Sequence, residues 1–330
     1  MPRSLIAGVK RANTIILLFE IVFALAPFSY SQKSSLSDNL IRIGYQKYGT
    51  LVLLKARGTL EKHLARNGIE VQWTEFPAGP QLLEGLNVGS IDFGTVGEAP
   101  PIFAQAAGAD IVYVGYEPQA SEGEALIVPK NSPIKNLSDL KGKKIALNKG
   151  SNVHYLLVKL LEKAGLKYEQ IEPIYLAPAD ARAAFERGSV DAWVIWEPFL
   201  AAAQNQTGAR ILSDGRGLVS NHQFFLASRM YAQKHPEVVS IIMSEVAAVD
   251  EWAKTHVGDA ATALQPQIGL DHATLQLALS RGGYGIAPVN DAVMSEQQQI
   301  ADTFYNLRLI PKHINVRDAT LGNLQAQGTH

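Results

Sequence analysis

There is no cysteine anywhere in the 330 residues. Disulfides, thiolate metal ligands, a lipid-modified cysteine anchor and a cysteine nucleophile are therefore all excluded. An excess of one charge is lacking too. The formal net charge is −1 and charged residues make up 18% of the chain, so the sequence carries no electrostatic footprint for nucleic acid. Gly-x-Ser-x-Gly, His-Glu-x-x-His and a phosphate loop ending in Gly-Lys-Ser/Thr are all missing. No low-complexity tract and no coiled-coil heptad interrupts the chain. These absences leave no cofactor or metal to expect and few routes to catalysis. The paired carboxylates Glu98 and Glu197 are what remains for acid–base work. Against this stands 47% hydrophobic residues over a length that suits two domains.

The N-terminus reads as an address. Arg3, Lys10 and Arg11 form a positive start, Thr14–Ala26 is apolar, and Ser29 and Ser31 are small. The pattern predicts a removable secretory signal over residues 1–31. The apolar run is short for a membrane span, and Glu20 inside it disfavours a permanent anchor.

The rest of the chain is organised around Val71–Pro101. Val71, Trp73 and Phe76 suit a short strand. Gly79-Pro80 opens a helix with proline at its first position, where a missing N–H costs nothing. Leu82, Leu83 and Leu86 share one helical face, and Gly89 stops it. Ile91–Gly94 is a second strand, and Gly97–Pro100 enters another helix. This is a βαβ unit with parallel strands, and ligands bind at the edge from which such turns leave. The layout recurs over Pro173–Pro198. Gly89–Asp92 matches Gly188–Asp191, and the same offset carries Glu98 onto Glu197 and Ala78 onto Ala177.

Around these units the pattern predicts a first strand at Leu40–Tyr45, one helix over Leu51–Asn67, and strands at Ile111–Tyr116, Ala125–Val128, Lys144–Leu147, about Ala209–Leu212, and Phe224–Ser228. A helix is expected at Val153–Ala164 and another at Phe199–Gln204. Pro236–His256 has Val238, Val239, Ile242, Val246 and Val249 at helical spacing. Asp259–Gln267, Asp271–Ser280 and Asp291–Leu307 are further helices opened by an Asp at or near the cap. Unpatterned stretches near Glu117–Glu124 and Ser213–Phe224 predict two crossings between lobes. Residues 40–120 plus 222–330 would form lobe 1 and 121–221 lobe 2. Two crossings imply a hinge and a cleft.

Ile41–Lys47, Glu75–Gln81, Asn87–Asp92, Pro100–Asp110 and Ala177–Phe185 closely resemble the periplasmic aliphatic sulfonate-binding proteins. The likeness covers nearly the whole chain after the signal. It extends more loosely to taurine-, nitrate- and thiamine-precursor-binding relatives. It implies a type II periplasmic-binding-protein fold, two α/β lobes with a ligand cleft between them. It also implies a soluble receptor, not an enzyme, that delivers aliphatic sulfonates to the membrane permease subunits of an ABC importer, and the signal pattern without an anchor or coiled coil predicts a periplasmic monomer. Taurine, a sulfate ester, another small anion, or an enzyme on the same fold are the alternatives.

A sulfonate is anionic and offers three acceptor oxygens, which suits helix N-termini. Four helix entries fall at sheet edges: Gln46–Thr50, Ala78–Gln81, Gly97–Ala99 and Gly150–Asn152. The expected ligand-binding residues are Gln46, Thr50, Gly79, Pro80, Gly97, Ser151 and Asn152, with Trp196 as a wall. Glu98 and Glu197 fall at cleft positions, where they would meet an amine or hydroxyl of the ligand or else cap helices. Trp193 is assigned to the core, and His154 to a structural or solvated role. The relatives carry more serines where this chain has Ser151–His154, and often Asp where it has Glu98 and Glu197. Lys47 and Lys149 are the only basic residues in these turns.

Overall fold

The computed structural model describes residues 39–322, so the expected signal over 1–31 lies outside the described residues. The chain opens with β1 (Leu40–Tyr45), α1 (Thr50–Arg57), α2 (Thr59–Ala65), β2 (Glu70–Glu75), α3 (Gly79–Asn87), β3 (Phe93–Gly97), α4 (Pro100–Ala106) and β4 (Ile111–Glu117). It continues through β5 (Glu124–Val128), β6 (Lys144–Leu147), α5 (Asn152–Lys163), β7 (Glu172–Tyr175), α6 (Pro178–Glu186), β8 (Ala192–Trp196), α7 (Phe199–Thr207) and β9 (Arg210–Asp214). Last come β10 (Gln223–Ser228), α8 (Arg229–Lys234), α9 (Pro236–Thr255), α10 (Val257–Ile268), α11 (His272–Ser280) and α12 (Asp291–Asn306).

The strands form two five-stranded sheets, ordered β2-β1-β3-β10-β4 and β7-β6-β8-β5-β9. In the first, β1 pairs parallel with β2 and β3, while β10 lies antiparallel between β3 and β4. In the second, β6 pairs parallel with β7 and β8, while β5 lies antiparallel between β8 and β9. The reversed strand in each sheet is the one that follows a crossing from the other sheet. The sequence repeat therefore corresponds to a repeat of topology. Its Asp has the same task in both copies. Asp92 Oδ2 accepts the N–H of Arg42 at 3.0 Å, and Asp191 Oδ2 accepts the N–H of Lys144 at 2.8 Å. Arg42 adds side-chain bonds to Asp92 at 2.6 and 2.9 Å.

Several boundaries differ from expectation for local reasons. The helix over Leu51–Asn67 is two helices, because Gly58 turns left-handed at φ 60° and its N–H closes on Leu54 and Lys55. Ile91 and Asp92 precede the second strand rather than belong to it. Asp92 is occupied in bonding Arg42 through both its N–H and its carboxylate. α10 begins two residues before Asp259, and α12 is capped by Asn290, which accepts the N–H of Val293, not by Asp291. Asp271 does cap α11 through the N–H of Thr274.

One face of α9 buries Val238, Val239, Ile242, Val246 and Val249. That face packs against α1 and α2 beside the first sheet. Trp193 is fully buried in the second. The two halves also touch directly. Phe103 of α4 and Phe304 of α12 lie against His154 of α5, with ring centres 6.1 and 5.5 Å apart. α11 packs on α7, where Asn205 Nδ2 donates to Thr274 Oγ1 at 3.1 Å. Among the described residues no helix is long and apolar enough to cross a membrane.

Candidate functional site

Where the two parallel edges face each other there is a small cavity of about 20 Å³. It is bounded by Gln46, Tyr48, Gly79, Gly97, Pro100, Ser151, Asn152, Trp196, Asn221 and Gln223. Six of the expected residues thus meet in one place: Gln46, Gly79, Gly97, Ser151, Asn152 and Trp196. They come from the ends of β1, β3 and β8 and from the starts of α3 and α5. The strand ends are there because the strands of each unit run parallel and release their chains at one edge. α3, α4 and α5 start here without a side-chain cap. The positive ends of the α3 and α5 dipoles face this edge with first-turn N–H groups, whereas α4 opens on Pro100-Pro101, which have no N–H, and its Ile102 N–H is taken by the Ala99 carbonyl.

Asn152 is the centre of the contact between the halves. Its Oδ1 accepts the N–H of Ala99 at 3.2 Å, at the entry to α4. Its Nδ2 donates to Asn221 Oδ1 at 2.6 Å. Asn221 in turn donates to the carbonyl of Ala120 at 2.9 Å, tying together the two crossing segments. Asn221 sits at φ 53°, a left-handed conformation that asparagine tolerates. Gly97 allows the approach. A Cβ there would lie 2.1–2.3 Å from three atoms of the Asn152 amide. A Cβ on Gly79 would come 2.8 Å from Pro100 Cγ. Gln46 donates to the carbonyl of Thr95 at 3.0 Å, and Ser151 to that of Asn148 at 2.7 Å.

Four expected residues are not brought to this cavity. Thr50 lies behind Tyr48, where its hydroxyl donates to Glu117 Oε1 at 2.6 Å, with Asp250 Oδ1 at 3.2 Å. Pro80 faces outward onto a groove with Leu83 and Phe103. Glu98 turns toward the other side of the crossings, where Oε2 accepts the N–H of His222 at 3.0 Å and Oε1 is buried without a partner. Burial pushes its carboxyl up to about 7, against the pull of the His222 and Asn221 N–H groups. Glu197 caps α7, accepting the N–H of Ala201 at 3.0 Å, and pairs with Arg281 at 2.6 Å. Burial raises its pKa, and Arg281 and Ala201 oppose the rise.

His154 is fully buried. Its Nδ1 accepts the N–H of Gly150 at 3.2 Å, which leaves the proton on Nε2, 3.0 Å from the Tyr168 hydroxyl. Burial lowers its pKa to about 4, with Lys149 adding to the effect. It supports the turn before α5 rather than the cavity. Neither lysine reaches the cavity. Lys47 Nζ is 3.8 Å from Glu75, and Lys149 Nζ stands 5.4 Å over the Tyr175 ring. Tyr48, Pro100, Asn221 and Gln223 were not expected in the lining. Tyr48 and Pro100 belong to turns the sequence marked. The polar run Ser220–Gln223 just before an apolar strand was the available signal for the other two.

A profile of the family described as NMT1/THI5 like matches residues 63–256. The chain is 44% identical over 318 residues to the protein named for binding aliphatic sulfonates in Escherichia coli (strain K12), covering 96% of this chain and 98% of that one. It is 34% identical over 308 residues to the protein so named in Bacillus subtilis (strain 168), covering 92% and 93%. Among solved structures it is similar to the alkanesulfonate-binding protein SsuA from Xanthomonas axonopodis pv. citri bound to MOPS. The TM-score is 0.83 at 42% identity, over 87% of this chain and 99% of that one. The two mixed α/β sheets with their helices match the fold of that protein.

Proposed function

The chain belongs to the NMT1/THI5-like family, alongside the proteins named for binding aliphatic sulfonates, and we propose that it captures alkanesulfonates between its lobes and delivers them to the permease subunits of an ABC importer. It would work in the periplasm, sent there by the segment over residues 1–31 and then released as a soluble monomer. It is a carrier and does not change its ligand.

The observation that carries this reading is the convergence of the starts of α3 and α5, neither with a side-chain cap, on a cavity that no basic side chain reaches. An anion at such a place is held by backbone N–H groups, with the second N–H of the Gln46 and Asn152 amides adding side-chain donors, while the Ser151 hydroxyl is given to Asn148. A sulfonate with three acceptor oxygens can use donors from both lobes at once. A volume of about 20 Å³ has room for about one water and not for a sulfonate. The ligand therefore enters an opened cleft, and closure completes its set of donors.

The test is calorimetric titration of the protein lacking residues 1–31 with ethanesulfonate and, separately, propionate. Saturable one-to-one binding of the sulfonate alone is expected, with the radius of gyration falling on saturation. Binding of propionate in preference to ethanesulfonate would overturn the reading.

A further inference from the structure

His154 is a buried titratable group that capture of a sulfonate leaves unused, and it lies where the two halves meet. From its own half it is held by the turn before α5 and by the segment around β7. Its Nδ1 accepts the N–H of Gly150 at 3.2 Å. Its Nε2 meets the Tyr168 hydroxyl at 3.0 Å, which meets that of Tyr175 at 3.1 Å. From the other half two rings cover it, Phe103 of α4 and Phe304 of α12. The Phe103 ring also stands over Gly150, where a Cβ would lie 3.4 Å from it. Charge around the imidazole is sparse. Among the described residues Lys149 is the one cation that acts on it, and Tyr168 and Tyr175 are its titratable neighbours. α4 contains no charged residue, and Lys159 and Glu162 of α5 pair with each other. The acids of α12 are turned to other partners: Asp291 to Arg317, Glu296 to Ser220 and His222, Asp302 to His313.

We infer that His154 is a positioning residue for ligand capture, whose neutral ring holds the turn that presents Ser151 and Asn152 while Phe103 and Phe304 close over it, so that closing on a ligand expels one proton. This rests on the sulfonate reading and adds to it a control of the same site by pH. A protonated imidazole carries N–H groups at both nitrogens. Its Nδ1–H would point at the Gly150 N–H, donor against donor, and the turn must shift. The two phenylalanine rings offer it no hydrogen-bond acceptor, and a charge shut in beside them is costly. With the lobes parted the rings withdraw and the imidazole meets water, where it titrates near its ordinary value of about 6.5. Closed, burial and Lys149 hold it down to about 4. The open form therefore takes up a proton more readily. Closure is complete above about 6.5 and is lost as pH falls toward 4. A sulfonate stays anionic throughout and contributes no titration of its own.

The experiment is calorimetric titration with ethanesulfonate at pH 7.5 and 5.5, each in two buffers of different ionisation enthalpy. It is run on the protein lacking residues 1–31 and on its His154→Asn and His154→Phe variants. Asparagine keeps an acceptor for Gly150 and does not titrate. Phenylalanine keeps a ring against Phe103 and Phe304 and has no acceptor. Comparison with the variants cancels any titration of Glu98 or Glu117, which acts in the opposite sense. Relative to either variant, the native protein should release about 0.9 proton more per ligand at pH 5.5 and about 0.1 at pH 7.5. Its affinity should fall about tenfold more between the two pH values. At pH 7.5 His154→Asn should bind more tightly than His154→Phe, which lacks one hydrogen bond and should lose about 2- to 12-fold against native. Equal proton release and equal pH dependence in native and variant proteins would overturn the role of His154 and leave sulfonate capture intact. Native affinity in His154→Phe would overturn the positioning of the turn. Absence of binding by the native protein at both pH values would overturn both readings.

Discussion

Replacing Gly97 with alanine tests whether the contact between the lobes is what holds a ligand. Gly97 does not use a left-handed backbone, so alanine meets no conformational barrier there. The obstacle is across the cleft. The new Cβ would lie 2.1–2.3 Å from the Asn152 amide, well inside any real approach of a Cβ. With the lobes parted the methyl meets nothing from α5, so the folded lobes themselves tolerate it. With the lobes closed, Asn152 must turn away. It then gives up the Ala99 N–H and the Asn221 Oδ1. Two such bonds at roughly 0.5–1.5 kcal/mol each sum to about 1–3 kcal/mol of lost closure. That is about 5- to 150-fold in affinity. Thermal melting without ligand should move by less than about 4 °C, because the cost falls on closure rather than on folding. Titration with ethanesulfonate gives the affinity, and X-ray scattering at saturation gives the compaction. Native affinity and native compaction in Gly97→Ala would refute the argument that this contact accompanies binding.

Lys149→Ala should weaken sulfonate binding less than Gly79→Val. Lys149 lies over Tyr175 away from the cavity, whereas a side chain at Gly79 drives into Pro100. Titration that finds Lys149→Ala abolishing binding and Gly79→Val neutral would mean a salt bridge holds the anion. Stability should fall as pH rises from 6.5 to 8. Glu98 and Glu117 keep their protons up to about 7 and 8 when folded, while the unfolded groups ionise near 4.5, so the unfolded chain binds fewer protons in that window. Between about 4.5 and 6.5 the neutral His154, lowered to about 4, opposes the two carboxyls without outweighing them, so the fall should be shallower there. Glu117→Gln should flatten the upper limb, and a native melting temperature that climbs from 6.5 to 8 would contradict the assignment. Asp92→Ala should cost about 3 kcal/mol by taking the carboxylate from the Arg42 guanidinium and leaving it only the Gly89 carbonyl, against about 1 kcal/mol for Asp191→Ala, since Asp191 accepts a backbone N–H. Urea unfolding of the two variants checks the order.

Much of the scaffold was legible in the sequence because local rules govern it. β1 spans the expected Leu40–Tyr45, and α3 starts at the Gly79-Pro80 pair. The Gly-Ser-Ile/Val-Asp repeat marks two aspartates with one structural task. Spacing along the chain does not encode which way a side chain turns once distant segments arrive. Glu98 and Glu197 occupy equivalent positions, yet one answers to His222 and the other to Arg281, partners more than 80 residues away. Thr50 looked like a donor at a helix start. It is claimed by Glu117, which comes from the far end of β4. Asn221 and Gln223 enter the cavity because the second crossing passes beneath it, a fact of topology with no periodic signature.

The place of β10 sets an order of assembly. It lies between β3 and β4, yet it is made only after the whole second sheet, since β5 to β9 fall within residues 124–214. Until residues 223–228 exist, β4 has no neighbour to join it to β1, β2 and β3. The second sheet needs nothing beyond its own contiguous stretch. Long-range pairing of this kind is slow, because a loop of about a hundred residues must close before it is rewarded. The topology therefore predicts that the interrupting segment matures first and the interrupted one waits. In pulsed hydrogen exchange during refolding, amides of β6 and β8 should gain protection ahead of those shared by β3, β10 and β4. The reverse order would show that the first sheet nucleates across its own gap.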